Sequence, residues 1–182
     1  MDFSEVKAFV KELVSIVVIA FIISLVLRFL VVEGRIIPSG SMYPTIRVQD
    51  RVMINKFIFY FKEPVRGDVI VFDPPEVLNS EDWFIKRVIG LPGETVEIKD
   101  GKVYINGSSL YEPYLEEEIA YRFGPVVIPE NSLLVLGDNR NNSSDSHLWG
   151  AWLTKDRIKG KAFMVYWPFS HFHILERGVS ME

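Results

Sequence analysis

From Leu13 to Leu27 the chain carries no charged residue, and Phe29 to Val32 extends the apolar run past Arg28 to about 20 residues. At about 1.5 Å per helical residue, that length matches the roughly 30 Å hydrocarbon core of a bilayer. A cleavable leader has a shorter apolar stretch followed by small residues at a cut site. This run ends instead in Val31-Val32-Glu33-Gly34-Arg35, with no small residues spaced for cleavage. Residues 1–34 therefore read as a permanent membrane anchor, with a transmembrane helix at about 12–32 and Arg28 reaching toward the headgroups. The competing reading is a buried helix of a soluble core, for which a chain of 182 residues leaves little material to cover it. Lys7 and Lys11 on one side face Arg28 and Arg35 on the other, so charge does not fix the orientation.

After Arg35 the pattern changes to short alternating or β-branched runs between turn signals. Asp50 to Ile54, Asp68 to Phe72, Trp83 to Ile89, Thr95 to Ile98, Lys102 to Ile105, Ser132 to Leu136 and Lys161 to Trp167 are the strand candidates. Asp100-Gly101 between two alternating runs predicts a two-residue hairpin, because both turn positions must tolerate positive φ, and Asn106-Gly107 predicts a second turn. Helical periodicity is absent beyond a short turn over Thr154 to Ile158, with Thr154 as its cap. Phe57 to Phe61 is continuously apolar or aromatic, which fits either a two-sided core strand or a patch lying at a membrane surface. The expected fold is all-β: a mainly antiparallel domain over 35–182 behind one N-terminal transmembrane helix.

Several function classes drop out. The net charge is −4 and no basic run exceeds two residues, so nothing marks a nucleic-acid surface. Cysteine is absent, which removes disulfides and thiolate metal sites. The acidic residues, Glu116 to Glu118 among them, are too sequential or too scattered for a metal site, and no cofactor motif is present.

A hydrolase needs a nucleophile at an exposed bend, a base for its proton and donors for the oxyanion. Pro38-Ser39-Gly40-Ser41-Met42-Tyr43-Pro44-Thr45 provides such a bend, although Ser-Gly-Ser between prolines is also an ordinary turn. Histidine is scarce, and His171 and His173 fit an exposed edge. Lys86 lies in a β-type run, Trp83 to Ile89. On the inward face it would be desolvated, with a lowered pKa suited to a base; on the outward face its head would simply reach water.

The combination resembles a family. Ile37 to Thr45, Arg66 to Phe72, Ile85 to Glu94 and Gly137 to Gly150 are similar to the four motif blocks of type I signal peptidases, in the family's order and behind a membrane segment. The resemblance covers most of the chain from Ile37 to Gly150, and the lysine in the third block is similar to the bacterial and organellar branch. It implies a serine endopeptidase that removes leader peptides from translocated preproteins, with Ser41 as nucleophile and Lys86 as general base. Ser39 would donate its hydroxyl to the oxyanion hole, and Ser143 would hydrogen-bond and aim Lys86. Asp138 and Arg87 match a supporting salt bridge. Asp145 matches an acid that pairs with a basic residue two positions on; here that residue is His147, where many relatives have arginine. Ile37, Met42, Ile46, Phe84 and Ile85 resemble the pocket-lining positions that read small residues at −1 and −3. The implied partners are preprotein signal peptides and the lipid bilayer. The implied address is a cell membrane, crossed once, with the catalytic domain on the extracytoplasmic side. The alternative is a non-enzymatic, membrane-tethered β domain that binds extended peptides.

Overall fold

In the computed structural model residues 3–181 are described, apart from the side chains at 3, 5 and 27–30, so the expected reach of Arg28 lies outside the described residues. Helix α1 runs Phe3–Leu30. Its stretch Val6–Val26 is long and apolar enough to cross a membrane, and none of that stretch is covered by the rest of the protein. The helix stops before the apolar run does. Val31 and Val32 leave it because the chain pairs with a neighbouring strand: β1 (Val32–Ile36) lies antiparallel on β2 (Arg51–Asn55), and the Lys56 amide donates to the Val31 carbonyl.

The remaining elements are β3 (Val69–Phe72), β4 (Phe84–Gly90), β5 (Thr95–Lys99), β6 (Lys102–Ile105), β7 (Ser108–Tyr111), β8 (Phe123–Val127) and β9 (Ser132–Leu136). They continue with the single-turn α2 (Ser146–Trp149), β10 (Leu153–Thr154), β11 (Ile158–Trp167), β12 (His173–Ile174) and β13 (Ser180–Met181). An eight-stranded sheet has the order β1-β2-β11-β3-β4-β9-β10, with β12 also on β11; a five-stranded sheet has the order β13-β7-β6-β5-β8. The pairings are antiparallel, as the short alternating runs predict. All seven strand candidates are strands, with ends displaced by a residue or so, except that β11 starts three residues earlier.

Both hairpin signals close as expected. Asp100 and Gly101 have φ of 50° and 76° and join Lys99 to its partner Lys102; Asn106 and Gly107, at 51° and 87°, join Ile105 to Ser108. The Thr154 turn forms over Lys155–Arg157, but the Thr154 side chain makes no cap bond to it. Phe57 to Phe61 is not a strand. It follows β2 as a short 3-10 turn, started by Asn55 Oδ1, which accepts the Phe57 and Ile58 amides. Phe59 packs inward, whereas Phe57, Tyr60 and Phe61 are exposed, Tyr60 at 79%.

The inner faces make three apolar clusters. One joins β2, β3 and β11 to Ile37, Met42 and Ile46 of the loop after β1, one lies between β4 and β9 around Phe72 and Trp149, and one joins the five-stranded sheet to Ile89, Leu134 and Leu136. Ile98 sits in the third, 1% exposed. Ile98→Ala is expected to lower unfolding free energy by about 2–5 kcal/mol, the range for emptying a closed core site. Denaturant titration of the detergent-solubilised protein measures it, and a loss below about 1 kcal/mol would mean that this sheet is not packed as described.

Candidate active site

The loop between β1 and β2 returns on itself. The Ile37 amide donates to the Asp50 carbonyl at 2.9 Å and the Gln49 amide to the Ile37 carbonyl at 2.8 Å, so residues 38–48 form a closed excursion. Inside it the Tyr43 amide donates to Gly40 O and the Ile46 amide to Met42 O, while the Met42 and Ile46 side chains anchor the turn in the core. Asn139 clamps it from outside: its amide donates to Ser41 O at 3.0 Å, and its Nδ2 to Gly40 O at 3.1 Å. Ser41 thus sits on a rigid bend, 9% exposed.

Lys86 arrives from β4, which is paired with β3 on one side through Ile70 opposite Lys86. Period-two alternation puts Phe84 and Lys86 on the same face, and the ammonium lies 5.7 Å from the Phe84 ring centre. Lys86 is 4% exposed. Its Nζ donates to Ser41 Oγ at 2.7 Å and to the Ile85 carbonyl at 3.0 Å. Burial outweighs the attraction of Asp145 and Asp138 and lowers its pKa from 10.5 to about 8. Arg87, one residue on, points to the opposite face. Its Nε and Nη2 donate to the two Asp138 oxygens at 2.8 and 2.7 Å, its Nη1 donates to the carbonyls of Gly67, Glu176 and Arg177, and Tyr114 covers the guanidinium plane at 4.0 Å. Thr45 Oγ1 donates to Asp138 Oδ2 at 2.6 Å, which ties this pair to the serine loop.

The remaining predicted residues divide. Ser39 Oγ stands 3.5 Å from Ser41 Oγ. Ser143 is beside the site but does not bond Lys86: the ammonium is turned to Ser41 and the Ile85 carbonyl, and Ser143 Oγ is buried without a hydrogen-bond partner among the described residues. Asp145 does pair with His147, Oδ1 to Nδ1 at 2.5 Å. A groove of about 380 Å³ opens over Ser39, Ser41 and Lys86. Phe84 and Ile85 line it, whereas Ile37, Met42 and Ile46 lie beneath, in the core. Trp83, Asn142 and Ser144 also line the groove, and no local sequence signal marks them as site residues. Asn139 was missed as well; only its place inside a motif block pointed to it. Among the described residues no group of three or more His, Asp or Glu side chains is placed to hold a metal ion.

Residues 10–167 match the family model described as "Signal peptidase, peptidase S26". The chain is 47% identical over 155 residues to "Signal peptidase I" of Leptolyngbya laminosa, covering 82% of this chain and 76% of that protein. It is 44% identical over 174 residues to "Probable signal peptidase I-2" of Synechocystis sp., covering 94% and 79%. It is 37% identical over 176 residues to "Signal peptidase I S" of Bacillus subtilis, covering 90% and 92%.

The Arg87–Asp138 pair generates a prediction that does not depend on activity. Asp138→Ala leaves a guanidinium that is 1% exposed without its carboxylate, which is expected to cost about 3–5 kcal/mol in denaturant unfolding. A loss below about 1 kcal/mol would mean that the three carbonyls alone satisfy Arg87.

Proposed function

This chain belongs to the signal peptidase family, peptidase S26, and we propose that it is a membrane-anchored serine endopeptidase that removes leader peptides from preproteins with Ser41 as nucleophile and Lys86 as general base. The observation that carries this reading is the 2.7 Å contact between Ser41 Oγ and a lysine nitrogen that burial keeps easy to deprotonate. Neutral Lys86 accepts the hydroxyl proton as Ser41 Oγ attacks the scissile carbonyl. The resulting ammonium protonates the leaving amine. A water, deprotonated by the same nitrogen, then hydrolyses the acyl-serine. Ser39 Oγ and the Ser41 amide serve as the oxyanion donors.

Substrate reading follows from the sheet edge. β4 pairs with β3 from Phe84 to Arg87, but β9 joins its other side only from Arg87 onward. Phe84 to Lys86 therefore offers backbone groups to an extended leader that adds as a strand. Residues −1 and −3 of that strand face the same way, and Phe84 and Ile85 form the apolar wall that limits them to small side chains. In this scheme residues 1–34 are the anchor and 35–182 the catalytic domain. It crosses a cell membrane once and stands on the extracytoplasmic side, where leaders emerge. The exposed rings of Phe57, Tyr60 and Phe61 support membrane contact beyond the helix, because Asn55 just before them pairs with Val32, two residues past the helix end.

Ser41→Ala and Lys86→Ala are each expected to abolish preprotein cleavage in detergent while the protein stays folded. The two groups act as a unit, so the double variant should be no less active than either single one. Cleavage by either single variant at the wild-type rate would sink the assignment.

A further inference from the structure

His171 and His173 play no part in the reaction above, yet the fold brings them together. His171 closes the short turn Phe169–His171, and His173 opens β12 opposite Val165 of β11. Phe172 between them is extended, with φ −65° and ψ 122°, so the two imidazoles fall on the same side of the chain. Their ring centres are 4.9 Å apart.

Both rings are oriented through Nδ1. That of His171 lies 2.7 Å from Oδ2 of the buried Asp50, an oxygen that also accepts the Arg47 amide. That of His173 lies 2.9 Å from the His171 carbonyl oxygen. Both partners are acceptors, so both Nδ1 atoms donate, and each neutral ring carries its lone pair on Nε2. Among the described residues no hydrogen bond reaches either Nε2. The Asp50–His171 pair has the form in which a carboxylate aims a metal-binding imidazole.

The spacing suits a shared ion. Two imidazoles bound through Nε2 at about 2.1 Å, with about 90–110° between them, have ring centres about 4.5–5.2 Å apart, which brackets the observed 4.9 Å. Both rings line a cavity of about 400 Å³, walled also by Pro44 and Thr45 of the serine loop and by Glu116. It has room for waters to complete a coordination sphere, and it shares no residue with the groove over Ser41 and Lys86.

We propose that His171 and His173 form a binding site for one divalent late first-row transition ion, Cu²⁺, Ni²⁺ or Zn²⁺, with water at the remaining positions. Imidazole nitrogen favours these ions over Mg²⁺ and Ca²⁺, which take oxygen ligands. Asp50 connects the site to the serine loop: its carbonyl accepts the Ile37 amide that closes the loop, and its carboxylate holds the Arg47 amide inside it. An ion on His171 makes Nδ1–H a stronger donor to Asp50 and so steadies the closed end of the loop.

The test uses the full-length, tag-free protein in detergent, stripped with EDTA and titrated with metal salts. One equivalent of Cu²⁺ is expected to bind, with an electron paramagnetic resonance spectrum that shows two imidazole nitrogens. Ni²⁺ should compete for it, and a large excess of Mg²⁺ should not. His171→Ala and His173→Ala should each weaken Cu²⁺ binding at least about tenfold. His173→Gln replaces the alanine variant if that one fails to fold, since the His173 ring bonds only a backbone carbonyl. Ni²⁺ should also slow hydrogen exchange at the Ile37 and Gln49 amides, which close the loop. No Cu²⁺ binding by the wild type, fewer than two imidazole nitrogens in the spectrum, or binding that survives loss of either histidine would overturn the site. Exchange at Ile37 and Gln49 that Ni²⁺ leaves unchanged would overturn its link to the loop.

Discussion

A lysine nitrogen held 2.7 Å from a serine hydroxyl, in a site 4% exposed, is expensive to maintain, and much of the surrounding structure makes it tenable. Lowering the pKa from 10.5 to about 8 means that at pH 7 the folded state carries a penalty of about 3 kcal/mol. The sign follows from a depressed lysine: the penalty is complete below pH 8 and disappears as pH rises toward 10.5. A few kilocalories is a large part of a typical domain's stability, so the site needs a stiff and well-packed frame. The frame supplies it by placing Lys86 in mid-strand on β4 and covering it with Phe84 and the serine loop.

Its neighbour Arg87 is buried as deeply yet stays charged, and the contrast shows what decides between the two. Arg87 meets a bidentate carboxylate and three carbonyls, enough to replace its water. Lys86 meets one hydroxyl and one carbonyl, and no carboxylate touches it. Strand alternation sends these adjacent residues to opposite faces, one into a saturated ion pair and the other into the groove beside Ser41. Asp138 serves both, since it binds Arg87 and also Thr45 of the loop that carries Ser41.

The parts of this arrangement legible in the sequence are those with local signals. The Asp-Gly and Asn-Gly turns and the alternating runs fix their strands by φ preference and period alone. The missed strands lack such signals. β1 has no alternation and begins inside an apolar run, so its identity comes from pairing with β2. β8 contains Gly124 and Pro125, which are tolerated because it is the edge of its sheet. Ser41 and Lys86 became candidates through the motif blocks, since a serine turn and a strand lysine are each ordinary alone. Two details lay beyond any pattern. Asn139 grips the loop through backbone carbonyls, which leaves no mark on composition. Whether Ser143 bonds Lys86 depends on where an ammonium with three donors turns, and here it turns to the Ile85 carbonyl.

The central claim is that Lys86 gives up its proton near pH 8, so that the working enzyme can use its neutral amine. Lysine selectively labelled with carbon-13 at Cε, with Lys86→Met used to assign its signal, lets its protonation be followed directly by NMR in detergent micelles. A Lys86 signal that titrates near pH 8, well apart from the other lysines, is the predicted result. A signal that titrates near 10.5 with the rest would contradict it, because Lys86 would then be an ordinary ammonium with no proton-accepting role.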